Sequence, residues 1–171
     1  MASKKVVMYT DGACSGNPGN GGWGAYIEID DKKIELSGSE NNTTNNRMEL
    51  KAVIYALDYL NEKRDIVIFT DSKYVMQGIQ EWIKKWKINN WKTAQKKDVK
   101  NKDLWVELDN LTDKHTIKWE WVKGHSGDYG NEIADKLAVA QIKRSIIVIP
   151  SFYLLHVHQL YHPQLRQKTF Q

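Results

Sequence analysis

Short apolar runs that end in Asp-containing turns, alternating with longer segments of helical period, set the plan of this chain. Val6-Val7-Met8-Tyr9 closes in Thr10-Asp11-Gly12, which predicts a strand buried on both faces with Asp11 at its end. Ile66-Val67-Ile68-Phe69 repeats the pattern and closes in Thr70-Asp71-Ser72. Trp23 to Ile29 and Lys33 to Ser39 flank Asp30-Asp31-Lys32 as an antiparallel hairpin, and Thr116 to Val122 alternates with the period of a strand. Helical spacing appears in Met48, Leu50, Val53, Ile54, Leu57 and Leu60, with Asn45 or Asn46 as the expected cap and Glu49 in the first turn. A second helical run starts after Ser72, a natural cap, and Gly78 permits a kink in it. Asn101 to Thr112 reads as a third helix, and a last helix from Asn131 carries Asp135 one turn in. Gly12 to Gly22 is so rich in Gly, Asn and Pro that it reads as a loop rather than the interior of a strand. The element order predicts an α/β fold: a five-stranded mixed sheet flanked by helices.

If the strands ending in Asp11 and Asp71 are neighbours, two carboxylates stand side by side, and like charges there call for a cation. Two ordinary turn aspartates would give the same pattern, and Glu49 alone is what a helix dipole favours in a first turn. The glycine stretch after Asp11 lacks the Gly-Lys-Ser/Thr of a nucleotide loop and precedes a strand, so it is not read as one. His125 falls at the tip of a second Gly-rich loop, Lys123 to Gly130.

Composition narrows the class. The 171 residues suffice for one domain with a sizeable core, and the single cysteine, Cys14, excludes an internal disulfide and a Cys-rich zinc site. With no secretory pattern at the start, a cytoplasmic location and no membrane association are expected. The net charge of +4 is an end effect: residues 141–171 hold four basic and no acidic residues, so the first 140 hold 21 of each. Basic character in the body is therefore local. From Trp82 to Lys102 there are eight lysines (84, 85, 87, 92, 96, 97, 100, 102) against Asp98, interleaved with Trp82, Trp86 and Trp91. Lysine with tryptophan can neutralise phosphates and lay rings against sugars, although some of these side chains must pin the segment to the body.

Several blocks recur in the order of a known family: Tyr9-Thr10-Asp11-Gly12, Gly16-Asn17-Pro18-Gly19, Thr43 to Leu50, Thr70 to Val75, Trp121-Val122-Lys123-Gly124-His125, and Asn131 to Asp135. Over about residues 5 to 140 the chain resembles ribonuclease H of type I, the bacterial form. The resemblance implies a ribonuclease H-like fold and an endonuclease that hydrolyses the RNA strand of RNA/DNA hybrids with two Mg2+ ions, Mn2+ being a possible substitute. It places the four metal-binding carboxylates on Asp11, Glu49, Asp71 and Asp135 and the catalytic loop histidine on His125. It places hybrid contacts on Asn17, Asn45 and Asn46, with Thr44 near a DNA phosphate, and contacts to the ribose 2'-hydroxyl are expected from Glu49, Asn45 and the backbone near Gly12. The basic protrusion would grip the DNA strand, with Trp82, Lys84, Lys85, Trp86, Lys87, Lys96 and Lys97 as candidates. Four oxygen ligands suit two hard cations, which favours 5'-phosphate and 3'-hydroxyl products. The body has only His115 and His125, which argues against attack by the substrate's own 2'-hydroxyl with a histidine pair. A hybrid-binding module without catalysis is disfavoured by the intact carboxylate set, and a transferase or reverse-transcriptase domain by the protrusion; a monomer with no obligatory protein partner is expected.

Two departures stand out. Lys73 takes a position where many bacterial members carry glutamine, which bears on fine specificity. From about Gln141 the family pattern is lost, so the catalytic domain is expected to span 1–142 and a poorly ordered, appended or frame-altered tail 143–171. The tail's apolar run near Ile146 is too short to cross a bilayer. A chain ending near residue 142 is therefore expected to keep full activity in a hybrid-cleavage assay; loss of cleavage would show that the tail belongs to the working enzyme.

Overall fold

The computed structural model describes residues 5–146. Its single sheet has the order β3-β2-β1-β4-β5. The strands are β1 (Val6–Gly16), β2 (Gly19–Ile29), β3 (Lys32–Thr43), β4 (Asp65–Thr70) and β5 (Thr116–Trp121). β1 is antiparallel to β2 and parallel to β4, β2 is antiparallel to β3, and β4 is parallel to β5. The helices are α1 (Asn45–Asp58), α2 (Lys73–Gln77), α3 (Ile83–Ile88), α4 (Lys102–Thr112) and α5 (Tyr129–Ile146). This is the expected mixed five-stranded sheet with helices on its faces. The expected tail lies outside the described residues from residue 147 onward.

Even-numbered residues of β1 and β4 (Val6, Met8, Ile66, Ile68) pack with Leu50, Val53, Leu57, Trp105 and Leu108 into one core cluster. That face is the one α1 and α4 cover; Tyr9, whose ring lies against Gly130 at the start of α5, marks the other. Trp105 is fully buried, and its indole N–H donates to the Tyr74 hydroxyl at 3.0 Å. Its ring occupies the space where a Gly78 side chain would project, and there the chain takes a π-helical turn, Gly78–Trp82, between α2 and α3. The predicted kink is thus a widened helical turn around an indole.

The glycine stretch is not a loop. β1 continues to Gly16 and β2 begins at Gly19, pairing as far as Gly16 with Gly19. Glycines sit in these strands because helices press on them. A Cβ on Gly22 or Gly24 would run into the backbone of α5 at Ala138 or Ala134, and one on Gly12 into the backbone of α1 at Met48 and Glu49. Asp11 is accordingly inside β1 rather than at its end. The pairing with β4 does stop at Thr10 with Thr70, so Asp11 stands where β1 parts from β4. β3 also outruns its predicted end, since Glu40 to Thr43 are strand, not loop.

The first helix is capped by Thr44, not by Asn45 or Asn46. The Thr44 hydroxyl accepts from the Arg47 N–H, and both asparagines are already helical. Glu49 therefore lies beyond the first turn and is buried, out of the position the helix dipole favours. Ser72 does cap α2, accepting from the Val75 N–H at 3.2 Å.

The seating of α5 on bare strand backbone yields a test. Gly24 has an ordinary φ, so Gly24→Ala meets no backbone strain of its own, but it does meet the Ala134 carbonyl, Leu137 and the backbone nitrogen of Ala138. The substitution is expected to lower unfolding stability by about 1–3 kcal/mol, the usual range for overpacking. An unchanged urea midpoint would show that α5 does not lie on β2 in this way.

Candidate active site

Register alone brings the first two acids together. With Thr10 opposite Thr70 in a parallel pair, the residue that follows each is an Asp, Asp11 still within β1 and Asp71 just past the end of β4. Glu49 arrives from α1 through the contact that Gly12 permits. One carboxylate oxygen from each of Asp11, Glu49 and Asp71 lies within 4.8 Å of the others. Asp135, on α5, is near enough for its charge to act on both Asp11 and Asp71. All four sequence-predicted acids therefore converge, three in one tight group and Asp135 on its flank.

The cluster is held by few donors. The Gly12 N–H donates to Asp11 Oδ1 at 2.9 Å, and the Asn45 amide donates to Glu49 Oε1 at 3.5 Å. Among the described residues Glu49 Oε2 is buried without a partner. Desolvation, then the charges of Asp71 and Asp135, push Asp11 up to about 8. Glu49 is raised well above the usual carboxylate range by burial and by Asp11 and Asp71. Asp71, half-buried, is also raised by burial, with the Asn131 amide and His125 pulling the other way. Crowded oxygen ligands, an unmatched buried carboxylate oxygen and mutual repulsion are what a site for hard divalent cations provides when no cation is bound.

His125 is exposed on the loop between β5 and α5, in the left-handed region at φ 53°, with Nδ1 4.0 Å from Asp135 Oδ2. The loop reaches back over the cluster, since the Asp71 carboxylate fills the space beside Gly124. Thr44, Asn45 and Asn46 surround the start of α1 next to Glu49, and Asn17 is exposed in the turn between β1 and β2. One residue escaped the sequence reading. Asn131 is buried in α5, one turn before Asp135 on the same face, and its side chain favours the charged form of the Asp71 carboxylate. Its spacing from Asp135 was the available signal.

The basic segment divides into two kinds of residue. Trp82, Trp86 and Trp91 are half-buried; Trp82 and Trp86 both meet the Trp105 ring, and Trp91 packs on Trp86. Tyr74, Trp82, Trp86 and Lys100 line a shallow groove of about 310 Å³. Lys87 binds Asp109 at 2.8 Å, and Asp98 binds both Lys92 and Lys102, so these lysines fasten the segment down. Lys84, Lys85, Lys96 and Lys97 are exposed.

Comparison with known proteins agrees with this geometry. The family model described as RNase H matches residues 3–143. The Ribonuclease H of Francisella tularensis subsp. novicida is 62% identical over 134 residues, covering 78% of this chain and 88% of that protein. Among solved structures, LC9-RNase H1, a type 1 RNase H with the type 2 active-site motif, is 31% identical with a TM-score of 0.76, covering 84% of this chain and 74% of that one. The N-terminal RNase H domain of rv2228c from Mycobacterium tuberculosis is 27% identical with a TM-score of 0.64, covering 84% of this chain and 96% of that one. With its sheet order, its acidic cluster and a family match over most of its length, this chain belongs to the RNase H family of nucleases.

Proposed function

We propose that this chain is an endoribonuclease that hydrolyses the RNA strand of RNA/DNA hybrids with two divalent cations, Mg2+ by preference, leaving 5'-phosphate and 3'-hydroxyl ends. The observation that carries the reading is the group of buried carboxylates, Asp11, Glu49 and Asp71, with Asp135 beside it. The fit to hard cations is good: every donor is an oxygen, and Glu49 Oε2 is buried with no other partner among the described residues. When bound, such ions supply Lewis acidity and charge neutralisation at the scissile phosphate.

The remaining work falls to the chain itself. Asp11, whose carboxylate interacts with Asp71, Asp135 and Glu49 and which is fixed by the β1 ladder, would be one of the residues that hold the cations. Asn131 orients Asp71, and Asn45 orients Glu49. His125, exposed and 4.0 Å from Asp135, is placed to move a proton at the rim of the site. Ribose is distinguished from deoxyribose by 2'-hydroxyl contacts in the wide minor groove, where Glu49, Asn45 and the Gly12 backbone stand together. Thr44 keeps a DNA phosphate in register, and the exposed lysines of the protrusion with the Trp82–Trp86 groove take the DNA strand further along.

Two experiments test the reading. A 5'-labelled hybrid should be cut with Mg2+ only in its RNA strand, to 3'-hydroxyl ends, while duplex DNA and duplex RNA persist. Asp71→Asn should lose about three orders of magnitude or more in rate, the scale of several kcal/mol of lost charge stabilisation. A wild-type chain that binds hybrid and cuts nothing with either Mg2+ or Mn2+ would overturn the assignment.

The raised carboxylates give the second. A folded-state pKa above the unfolded one means stability is fully present below the unfolded value and lost as pH rises through the folded value. For Asp11 the window runs from near pH 4 to about pH 8. In EDTA, the wild-type thermal midpoint should therefore fall across that window, and Asp11→Asn should flatten the fall and melt higher at pH 8. Mg2+ should raise the wild-type midpoint at pH 8 and raise the variant's less. A pH-independent midpoint in EDTA would show that the acids are not in conflict.

A further inference from the structure

Trp121 closes β5 opposite Thr70, the last residue of β4, and just past this point the Val122 N–H donates to the Thr70 carbonyl. Alternation places it on the side of Ile117 and Trp119, which pack on the main core. Trp121 itself lies beyond that core and is 47% exposed, the only exposed tryptophan of the seven. Its indole N–H is nonetheless spoken for: it donates to the backbone carbonyl of Asp71 at 3.2 Å.

A singly exposed aromatic is ordinary on a protein surface. Two features separate Trp121 from that background. First, its hydrogen bond falls on the one metal-binding candidate that belongs to no strand or helix, since β4 ends at Thr70 and α2 starts at Lys73. Second, Trp121 ends the edge strand β5 beside the end of β4, directly next to the backbone of Asp71. By contrast, Trp82, Trp86 and Trp91 spend much of their surface on one another and on Trp105. An indole with its donor fixed and about half of its surface exposed is a ring held ready for stacking.

We propose that Trp121 is a nucleic-acid contact that also positions Asp71: its exposed ring bears on a sugar or base of the bound hybrid at the β5 edge of the site, while its N–H holds the Asp71 carbonyl. This rests on the hybrid-cleavage reading above. Substrate seating and alignment of Asp71 then pass through one side chain.

The test separates ring from N–H. Binding of a fluorescein-labelled RNA/DNA hybrid is measured by anisotropy with the full-length Asp11→Asn chain, which leaves the Trp121–Asp71 bond in place. Adding Trp121→Ala should weaken binding about tenfold, within the range for loss of one stacked base. Adding Trp121→Phe should restore most of it. In the otherwise unaltered enzyme, Trp121→Phe should keep KM within about twofold and lower kcat several-fold, the mark of a lost alignment rather than lost binding. Equal binding by Trp121→Ala and its parent, or a Phe variant as weak as the Ala variant, would overturn the proposal while leaving hybrid cleavage intact. A wild-type chain that neither binds nor cuts hybrid would overturn both.

Discussion

The constraint on which the site depends is electrostatic conflict inside the fold. A parallel register of β1 with β4, fixed by buried pairs such as Met8 with Ile68, leaves Asp11 and Asp71 side by side at the point where pairing ends. Glu49 joins them from α1, and burial and mutual repulsion both favour the protonated forms. Nothing in the local packing requires acids at these places. Apolar residues of similar size would relieve the conflict, so the cluster is suited to a positive charge that comes from outside the chain.

Holding that conflict requires helices on both faces of the sheet to come unusually close to it. On one face Gly12 admits the backbone of α1 at Glu49; on the other, Gly22 and Gly24 admit α5 at Ala138 and Ala134. Asp11 pairs with Gly24, so its side chain leaves the sheet on the face that α5 covers, next to the turn that carries Asp135. The same absence of side chains that weakens a strand in isolation therefore sets the spacing between carboxylates. The local cost is recovered from the ladder, since β1 and β2 remain paired to their ends.

These two facts explain what could and could not be read from sequence. The duplicated Thr-Asp after an apolar run was legible because a parallel register carries equal positions to equal heights, and the family resemblance supplied Glu49 and Asp135. The glycine stretch misled, because glycine disfavours strands intrinsically and nothing local reveals that a helix will lie on it. The cap of α1 slipped by one or two residues because Thr44, Asn45 and Asn46 are all competent caps, and the choice fell to the residue still extended after β3. Lys87 looked like every other lysine of the protrusion; only the arrival of α4 shows it to be bound to Asp109. Asn131 and Trp121 were in view within quoted motifs, but their partner, Asp71, is distant in sequence.

Asp71 differs from the other acids in how it is held. Asp11 is locked by strand pairing on β1 and Glu49 by the interior of a helix, whereas Asp71 lies between elements and depends on side chains. Thr70 Oγ1 accepts from the Ser72 N–H to shape the turn, Asn131 favours the charged carboxylate and Trp121 holds the carbonyl. It is also less buried than Asp11 and Glu49. As a ligand in the proposed reading, a carboxylate so placed could adjust to a cation and a phosphate together, but its position is only as definite as those supports. In the proposed reading, the rigid pair would supply the charge density that draws cations in, and the supported one the fit. This division follows from the topology, since β4 must stop at Thr70 for the chain to turn into α2.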